Sequence, residues 1–319
     1  MTAIRVGTRA SVLATTQSRL VAHQIAAQLG REVELVEIST EGDRSQAAGT
    51  PLAGGPTTGV FVSALRDALL DGRVDVAVHS LKDLPTYAAD GITLAAVPTR
   101  EDPRDVVVAR DGLTIGELPV GSRVGTGSPR RAAQLHALGL GLDVVGVRGN
   151  VDSRIGKVRS GEYDAVVLAR AGLARIGRLE EATEVLDPLQ MLPAPGHGAL
   201  AVECRTEDDL AAQLREVMDD PRTRAAVEAE RAVLATLEGG CSAPIGALAE
   251  VVEGDDGEEI WVRAIVLSPD GGLSVRMSAS GDPDDAAGVG TRLAAEMLAD
   301  GAGQLDPRQH DESEQVRNA

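Results

Sequence analysis

Short apolar runs alternate with helix-like stretches along the first hundred residues of the chain. The run at 4–6 is followed by a stretch at 11–29 in which Val21 and Ile25 stand four residues apart, the spacing of one helix face. Gly30 follows at the position where a left-handed C-cap is expected. The remaining elements predicted here are strands at 33–38, 74–78 and 92–97 and a helix at 61–70. This order predicts an α/β unit with parallel strands and crossover helices.

The same alternation recurs between 105 and about 190 and predicts a second α/β unit. Its predicted elements are strands at 106–109, 123–125, 143–147 and 165–169 and helices at 129–138 and 151–159. Proline-containing segments at 98–104 and 192–199 separate the two units. A short apolar strand at 200–203 is predicted to return to the first unit, so that two lobes are joined by two crossings.

The last third of the chain has a different pattern, with a helix after Pro221, three strand-like runs and a helix at 284–299. This pattern predicts a small C-terminal α+β domain. The predicted domains are 1–99 with 199–216 (domain 1), 104–192 (domain 2), 221–301 (domain 3) and a disordered tail at 302–319. Domain 1 contains a loop at 41–59, rich in Gly, Pro, Ser and Thr, that is predicted to be mobile.

Composition and charge narrow the class of protein. The 319 residues carry a formal net charge of −18 and only four aromatic side chains (one Phe, two Tyr, one Trp), so we expect no nucleic-acid partner. The sequence contains no run of eighteen apolar residues and no signal-peptide pattern, so we expect no membrane partner and a cytoplasmic location. Two cysteines are too few for a disulfide framework.

Arginines cluster at the predicted turns from strand to helix. Arg9 lies in GTRAS, Arg130 and Arg131 follow GTGSP, and Arg148 and Arg154 flank the helix start in RGNVDSR. Unit positive charges about 4 Å apart repel by roughly 4 kcal/mol at an effective dielectric of 20, so such a cluster favours a bound anion. An anion with several carboxylates would satisfy many arginines at once. The alternative is that these arginines pair with some of the 49 acidic residues.

Three further positions are candidates for chemistry. The segment HSLKDLP at 79–85 follows a predicted strand, and its Asp83 could act as an acid, a base or a group that stabilises a cation. A structural interpretation also fits this segment, in which His79 is a buried residue whose hydrogen bonds are made within the protein. Cys204 ends an apolar strand and is interpreted as a core thiol, whereas Cys241, after two glycines, remains open between buried thiol, nucleophile and attachment point.

These segments together resemble the porphobilinogen deaminase (hydroxymethylbilane synthase) family over nearly the whole chain. The matching motifs are GTRAS at 7–11, VAVHSLKDLP at 76–85, REDPRD at 100–105, GTGSPRRAAQL at 125–135, RGNVDSR at 148–154, GEYDAVVLARAGLAR at 161–175, LPAPGHGALAVECR at 192–205 and LEGGCSAPIG at 237–246.

The resemblance implies a transferase of haem and tetrapyrrole biosynthesis. Such an enzyme joins four porphobilinogen molecules head to tail, releases ammonia at each step, and hydrolyses off the linear tetrapyrrole hydroxymethylbilane. The resemblance also implies a dipyrromethane cofactor attached through a thioether to Cys241, with Asp83 as the catalytic carboxylate. The implied cofactor- and substrate-binding residues are Arg9, Ser11, Phe61, Lys82, Thr126, Ser128, Arg130, Arg131, Arg148, Arg154 and Arg175. We expect a monomer, which hands its product to uroporphyrinogen III synthase.

The chain departs from the common family pattern at several positions. Glu41 stands where arginine is frequent, Gly54 and Thr58 stand where lysines are frequent, Val12 replaces a proline and His197 replaces a glutamine. The departures at Glu41, Gly54 and Thr58 remove positive charge from the loop. The way in which the enzyme accommodates the lengthening tetrapyrrole chain, or its affinity for that chain, could therefore differ from that of the family.

Two other functions fit parts of the pattern. The predicted plan resembles that of periplasmic solute receptors, so a two-lobed carboxylate-binding protein without catalysis is the first alternative. It has no need for Cys241. The second alternative is a cysteine hydrolase that uses Cys241 with His79 or His197 as the base.

Overall fold

The structure is a computed structural model that describes residues 2–38, 60–237, 244–254 and 257–305. Its contacts divide the chain into two compact units. Unit 1 comprises residues 1–102, 174–177 and 197–224, and unit 2 comprises residues 103–173, 178–196 and 225–319. Apart from the short segment 174–177, which also belongs to unit 1, the chain passes from unit 1 to unit 2 after residue 102, returns at residue 197 and enters unit 2 again after residue 224. The division into three domains with the boundaries given above remains a prediction.

The strands are numbered in chain order. They are β1 (Ile4–Thr8), β2 (Val33–Glu37), β3 (Val76–Ser80), β4 (Ile92–Ala96), β5 (Asp105–Ala109), β6 (Arg123–Gly125), β7 (Asp143–Val145), β8 (Ala165–Ala169), β9 (Glu184–Val185), β10 (Leu200–Arg205), β11 (Ile245–Gly254), β12 (Gly257–Leu267) and β13 (Ser274–Gly281).

The helices are numbered in the same way among the described residues. They are α1 (Val12–Leu29), α2 (Val60–Leu70), α3 (Pro129–Ala137), α4 (Val151–Arg159), α5 (Arg170–Arg175), α6 (Asp209–Met218), α7 (Pro221–Thr236) and α8 (Ala286–Ala299). None of these helices is both long and apolar enough to cross a membrane.

Unit 1 is built on a five-stranded sheet in the order β2-β1-β3-β10-β4. Strand β1 runs parallel to both β2 and β3, whereas β10 runs antiparallel to both β3 and β4. The strands β1, β2, β3 and β4 thus run in one direction, as the sequence predicts, and the sheet is mixed because β10 runs in the opposite direction. The reason is that β10 enters the sheet from the second crossing rather than from a local crossover helix.

The first helix of unit 1 begins and ends where its sequence predicts. Ser11 Oγ accepts a hydrogen bond from the backbone N–H of Ala14 at 3.3 Å, and Gly30 ends the helix with a φ of +61°. The side chains of Val21 and Ile25 are buried against the sheet in one apolar cluster. Helix α6, whose Leu210 and Leu214 join the same cluster, was not predicted.

Unit 2 contains a second mixed sheet, in the order β7-β6-β8-β5-β9. Strand β6 is parallel to β7 and β8, but β5 is antiparallel to β8 and β9. All five residues of β5 are buried, which places this strand in the core of the sheet.

The C-terminal part of unit 2 is a three-stranded antiparallel sheet, β11-β12-β13, with α7 and α8 packed on one apolar cluster. The prediction of two α/β units and a small α+β part is thus confirmed. Residues Ala302–Leu305 form a further helical turn, and Ala302 is buried in the same cluster. Because Ala302 has apolar neighbours to pack against, the ordered chain extends past residue 301, and only 306–319 of the predicted tail lie outside the described residues.

Candidate active site

The turn that follows β3 carries Lys82 and Asp83. This turn is a short helical segment, Leu81–Asp83, closed by a hydrogen bond from the N–H of Leu84 to the carbonyl of Leu81. Leu81 and Leu84 are buried, whereas Lys82 and Asp83 are only half-buried. The two leucines therefore anchor the turn in the core and leave the two charged side chains at its surface.

The Asp83 carboxylate is not engaged by the described protein. In the described part of the chain, no residue donates a hydrogen bond to its carboxylate or forms an ion pair with it. A half-buried carboxylate in this situation can accept hydrogen bonds from a ligand without losing a protein partner. This placement suits a group that stabilises positive charge on a bound molecule.

Other predicted binding residues of unit 1 lie at two further places. Arg9 and Ser11 precede and cap α1, and the carbonyl of Arg9 accepts hydrogen bonds from the hydroxyls of Thr8 and Thr15. Arg175 lies at the end of α5, where its Nη2 donates to the carbonyl of Gly198 at 2.6 Å. Burial lowers the pKa of Arg175, although the charge of Glu101 acts in the opposite direction.

In unit 2, the GTGS turn holds Thr126 and Ser128 in a network of local hydrogen bonds. Thr126 Oγ1 accepts from the N–H of Ser128 at 3.1 Å, and Ser128 Oγ accepts from the N–H of Arg131 at 3.4 Å, as expected for an N-cap. Gly125 is required here because a Cβ at this position would lie 2.9 Å from the ring of Tyr163. The turn therefore packs closely on the Tyr163 ring, and Ser128 at its end caps the first turn of α3.

Arg130 and Arg131, the first arginines of α3, share one buried carboxylate. Arg130 Nη2 lies 2.7 Å from Asp105 Oδ2, and Arg131 Nη2 lies 2.6 Å from Asp105 Oδ1. The other Nη atoms donate to backbone carbonyls, Arg130 to Leu192 and Arg131 to Val167. Burial lowers the pKa of Arg130, and Asp105 opposes this shift. For these two arginines the structure therefore agrees with the alternative of pairing with an acidic residue of the protein, which is Asp105.

The pairing with Asp105 does not use every donor of the cluster. Nε of Arg131 is buried and has no hydrogen-bond acceptor among the residues that the structure describes. Such an orphaned donor is costly in a folded protein and indicates a missing acceptor.

Arg148 and Arg154 lie at the start of α4, which Asn150 caps by accepting a hydrogen bond from the N–H of Ser153. Arg154 Nε donates to the carbonyl of Gly149 at 2.8 Å, but within the described chain Arg154 has no acidic partner. Burial lowers the pKa of Arg154, and the positive charge of Arg131 lowers it further. Arg148 is exposed and likewise forms no ion pair with a described residue.

His79 belongs to a buried ionic group behind the turn of Asp83. Glu203 on β10 receives two hydrogen bonds from Arg66 of α2, at 2.6 and 3.1 Å, and His79 Nε2 lies 3.2 Å from its Oε2. Burial alone would raise the pKa of Glu203, but the adjacent His79 and the hydrogen bonds from Arg66 outweigh it and hold the pKa at about 2. His79 is therefore buried, as the structural interpretation has it, but its Nε2 makes no hydrogen bond of normal geometry with a described residue.

Cys204 is fully buried, and burial raises its pKa to about 12, in agreement with its interpretation as a core thiol. Cys241, the second cysteine, lies outside the described residues, as do Glu41, Gly54 and Thr58 and the side chain of Phe61.

Sequence reasoning missed the two buried acids Asp105 and Glu203. Each is a charged residue inside a run of buried strand positions, and each is matched to arginine. A charged residue at such a position could have been used to predict a buried ion pair, because buried charges in proteins are normally paired.

Comparisons with family models and with known proteins indicate the same family. A family model described as "Porphobilinogen deaminase, dipyromethane cofactor binding domain" matches residues 4–213, and one described as "Porphobilinogen deaminase, C-terminal domain" matches residues 224–299. The chain is 57% identical over 307 residues to proteins named porphobilinogen deaminase from Mycobacterium bovis and Mycobacterium tuberculosis, with 95% of this chain and 98% of theirs covered. The protein of that name from Mycobacterium marinum is 56% identical, with 95% of this chain and 96% of its own covered.

Solved structures show weaker similarity. A periplasmic substrate-binding protein from Coxiella burnetii has a TM-score of 0.43 at 14% identity, with 67% of this chain and 91% of that chain covered. The periplasmic aliphatic sulphonate binding protein from Escherichia coli has a TM-score of 0.40 at 15% identity, with 74% of this chain and 70% of that chain covered. The family models and the mycobacterial relatives, which cover nearly the whole chain, decide the assignment: the chain belongs to the porphobilinogen deaminase family.

Proposed function

We propose that this chain joins four porphobilinogen molecules head to tail with release of ammonia, and then hydrolyses off the linear tetrapyrrole. The observation that carries the proposal is an excess of buried positive charge in a chain with a net charge of −18. Three buried or half-buried arginines, Arg130, Arg131 and Arg154, have a single acidic partner, Asp105, in the described part of unit 2. A porphobilinogen unit carries two carboxylates, so substrate and product supply the anions that these arginines lack.

The residues of unit 2 fit a carboxylate-bearing dipyrromethane cofactor. The buried Nε of Arg131 needs an acceptor, and Arg154 offers a charge with no acidic partner among the described residues. When bound, this group supplies the primer to which new pyrrole rings are added. The residues proposed to hold it and the growing chain are Arg9, Ser11, Phe61, Lys82, Thr126, Ser128, Arg130, Arg131, Arg148, Arg154 and Arg175, with Cys241 as the attachment thiol.

These arginines contribute in different ways. Arg130 has protein acceptors at both Nη atoms, so we assign to it positive charge and the anchoring of α3 to β5 rather than a direct Nη contact with ligand. Arg154 and the exposed Arg148 have guanidinium groups with no ion-pair partner in the described chain, so we assign to them direct contacts with carboxylates.

Asp83 is proposed as the catalytic carboxylate. The Asp83 carboxylate has no hydrogen-bond donor among the described residues. It is therefore available to accept a hydrogen bond from a pyrrole N–H of the substrate. Its negative charge would stabilise the positive charge that develops on the ring as ammonia leaves.

The alternative of a carboxylate-binding protein without catalysis is not favoured, because the mycobacterial relatives at 55–57% identity are named as deaminases. The two functions differ in the state of Cys241. A binding protein would keep that thiol free, whereas the proposed enzyme carries a thioether there.

The deciding experiment is an intact-protein mass of the purified wild-type chain and of two matched variants. Wild type and Cys204→Ala should both carry the added mass of the dipyrromethane group and react with an acidic aldehyde reagent for pyrroles. Cys241→Ala should have only its amino-acid mass and no activity. Alkylation in denaturant gives a second readout, with one modified thiol in wild type.

A wild-type chain that shows only its amino-acid mass after incubation with porphobilinogen, with both thiols open to alkylation, would contradict the proposal. If Cys241→Ala retained the added mass, the attachment would have to be assigned to another residue.

The proposal also includes a cytoplasmic monomer that hands its product to uroporphyrinogen III synthase. This part is supported by the resemblance alone. Light scattering on the eluted protein tests the monomer, and a change in the elution of either enzyme when the two are mixed tests the transfer.

A further inference from the structure

The backbone at 197–199 lies beside the turn that carries Lys82 and Asp83. The N–H of Leu81 donates to the carbonyl of Ala199 at 3.0 Å, which joins the two segments directly. Two arginines hold the same segment from other elements of unit 1. Arg100 Nε donates to the carbonyl of His197 at 2.7 Å, and Arg175 Nη2 donates to the carbonyl of Gly198 at 2.6 Å. The position of residue 197 relative to the turn is therefore fixed by its own backbone.

The side chain of His197 continues this contact. It is 2% exposed, and its Nε2 lies 3.4 Å from Nζ of Lys82. A lysine ammonium has hydrogens to donate and no lone pair to accept with, so the imidazole must be the acceptor. An imidazole that accepts at Nε2 carries its single proton on Nδ1, which makes it the neutral Nδ1–H tautomer.

We propose that His197 is a positioning residue, which holds the Lys82 ammonium, and with it the turn that presents Asp83, while its imidazole is neutral and releases it when the imidazole is protonated. This proposal rests on the proposed function. Lys82 and Asp83 are consecutive in one short helical segment, so a constraint on the lysine side chain also constrains the turn that presents the carboxylate.

Protonation of the His197 imidazole would break its hydrogen bond with Lys82 for two reasons. An imidazolium has no lone pair at Nε2 and cannot accept a hydrogen bond. It would also add a cation to a place where Lys82, Arg100 and Arg175 already supply positive charge and Glu101, whose N–H donates to the Gly198 carbonyl, supplies negative charge. The structure thus connects a group that titrates near neutral pH to the proposed catalytic turn.

The test compares pH–rate profiles of cofactor-loaded wild type, His197→Gln, His197→Leu and the control His23→Gln, whose histidine is exposed on α1. Wild type and His23→Gln should lose kcat on the acid side with a midpoint at or below about pH 6.5, where an imidazole titrates. His197→Gln keeps an uncharged acceptor and should retain kcat to a pH at least about one unit lower. His197→Leu should show kcat lowered about tenfold at pH 8, with KM changed by less than about threefold, because the expected loss is in orientation rather than in binding.

An acid limb in His197→Gln identical to that of wild type would overturn the proposal, as would a wild-type kcat in His197→Leu. A long-range ¹H–¹⁵N spectrum of the wild-type holoenzyme tests it even if the leucine variant does not fold. The expected signal for His197 is a proton on Nδ1, and a proton on Nε2 would be incompatible with acceptance from Lys82. A wild-type chain without cofactor would overturn the proposed function, whereas a loaded, active wild type with an unchanged glutamine profile would overturn only the role of His197.

Discussion

Asp105 Oδ1 lies 2.6 Å from Nη2 of Arg131, and both side chains are buried. The second oxygen of the same carboxylate lies 2.7 Å from Nη2 of Arg130. One carboxylate therefore pairs with two buried guanidinium groups inside unit 2. We expect Arg130 and Arg131 to depend on Asp105 for their buried positions, and the three side chains together carry a net positive charge.

Asp105→Asn should destabilise the protein by about 3–5 kcal/mol, because the change leaves two buried guanidinium groups without their protein anion. Urea unfolding at neutral pH measures the loss. The matched control is Asp143→Asn, whose half-exposed carboxylate lies 3.6 Å from Arg123 at the surface and should change the midpoint very little. Equal midpoints for the two variants would mean that Asp105 does not balance the buried arginines.

Arg154→Gln should impair cofactor loading without lowering the stability of the unloaded protein. Arg154 is half-buried with no acidic partner in the described chain, so its charge opposes folding unless a ligand carboxylate is present. A charge-assisted hydrogen bond to a ligand contributes on the order of 1.5–3 kcal/mol, so loading should fall by about tenfold or more.

The fraction of protein with the added cofactor mass, measured after a fixed time with porphobilinogen, checks this prediction. Arg159→Gln on the same helix is the control, since Arg159 is exposed and pairs with Glu181. If Arg154→Gln loaded as quickly as Arg159→Gln, Arg154 would have no role in holding the cofactor.

Asp83→Asn should lower turnover by about 10²–10³ or more, because an amide cannot supply the negative charge that stabilises a developing cation. The melting temperature should stay unchanged, since no described residue depends on this carboxylate for a hydrogen bond. Single-turnover kinetics of the cofactor-loaded variant measure the effect. Asp90→Asn, at an exposed position of unit 1, is the control, and a similar rate for both variants would remove Asp83 from its proposed role.

Glu203 should make unit 1 sensitive to acid. Its pKa is about 2 in the folded protein and 4.5 in its unperturbed state, so the folded form binds the proton less tightly. The resulting stability, on the order of 3 kcal/mol, is present above about pH 4.5 and is lost as the pH falls through about 2.

Unfolding free energies measured across this pH window should show a steep slope in wild type that Glu203→Gln removes, together with a lower stability at neutral pH. Glu162→Gln is the control, because Glu162 is half-exposed and pairs with Lys157 at the surface. A wild-type slope in the Glu203→Gln variant would assign the acid sensitivity to other carboxylates.

Local features of the fold could be predicted from the sequence because their causes are local. The N-caps at Ser128 and Asn150 depend on the two or three residues that follow, and the structure has both. Helix α6 also had a readable signal, with Asp208 as its cap and Leu210, Leu214 and Met218 at intervals of four. Such a helix could have been predicted from the same periodicity that identified α1.

Features that depend on distant pairing were harder to predict. The antiparallel position of β10 follows from contacts between residues more than a hundred positions apart, as in the pair Val202 and Val78. The partnership of Asp105 with Arg130 and Arg131 joins residues that are 25 and 26 positions apart, which is also beyond the reach of a local pattern. For the candidate site, the sequence indicated which residues carry charge, but not which arginine charges are already balanced within the protein.

The position of β10 also has a consequence for synthesis of the chain. This strand lies between β3 and β4 in the sheet of unit 1, yet it follows every strand of the unit 2 sheet in the sequence. The first hundred residues to leave the ribosome therefore carry four strands with an open gap between the last two. The edges of β3 and β4 that pair with β10 therefore stay without their partner strand until Leu200–Arg205 has been synthesised. By that time all strands of the unit 2 sheet have been synthesised, so that sheet can form before the sheet of unit 1 is complete.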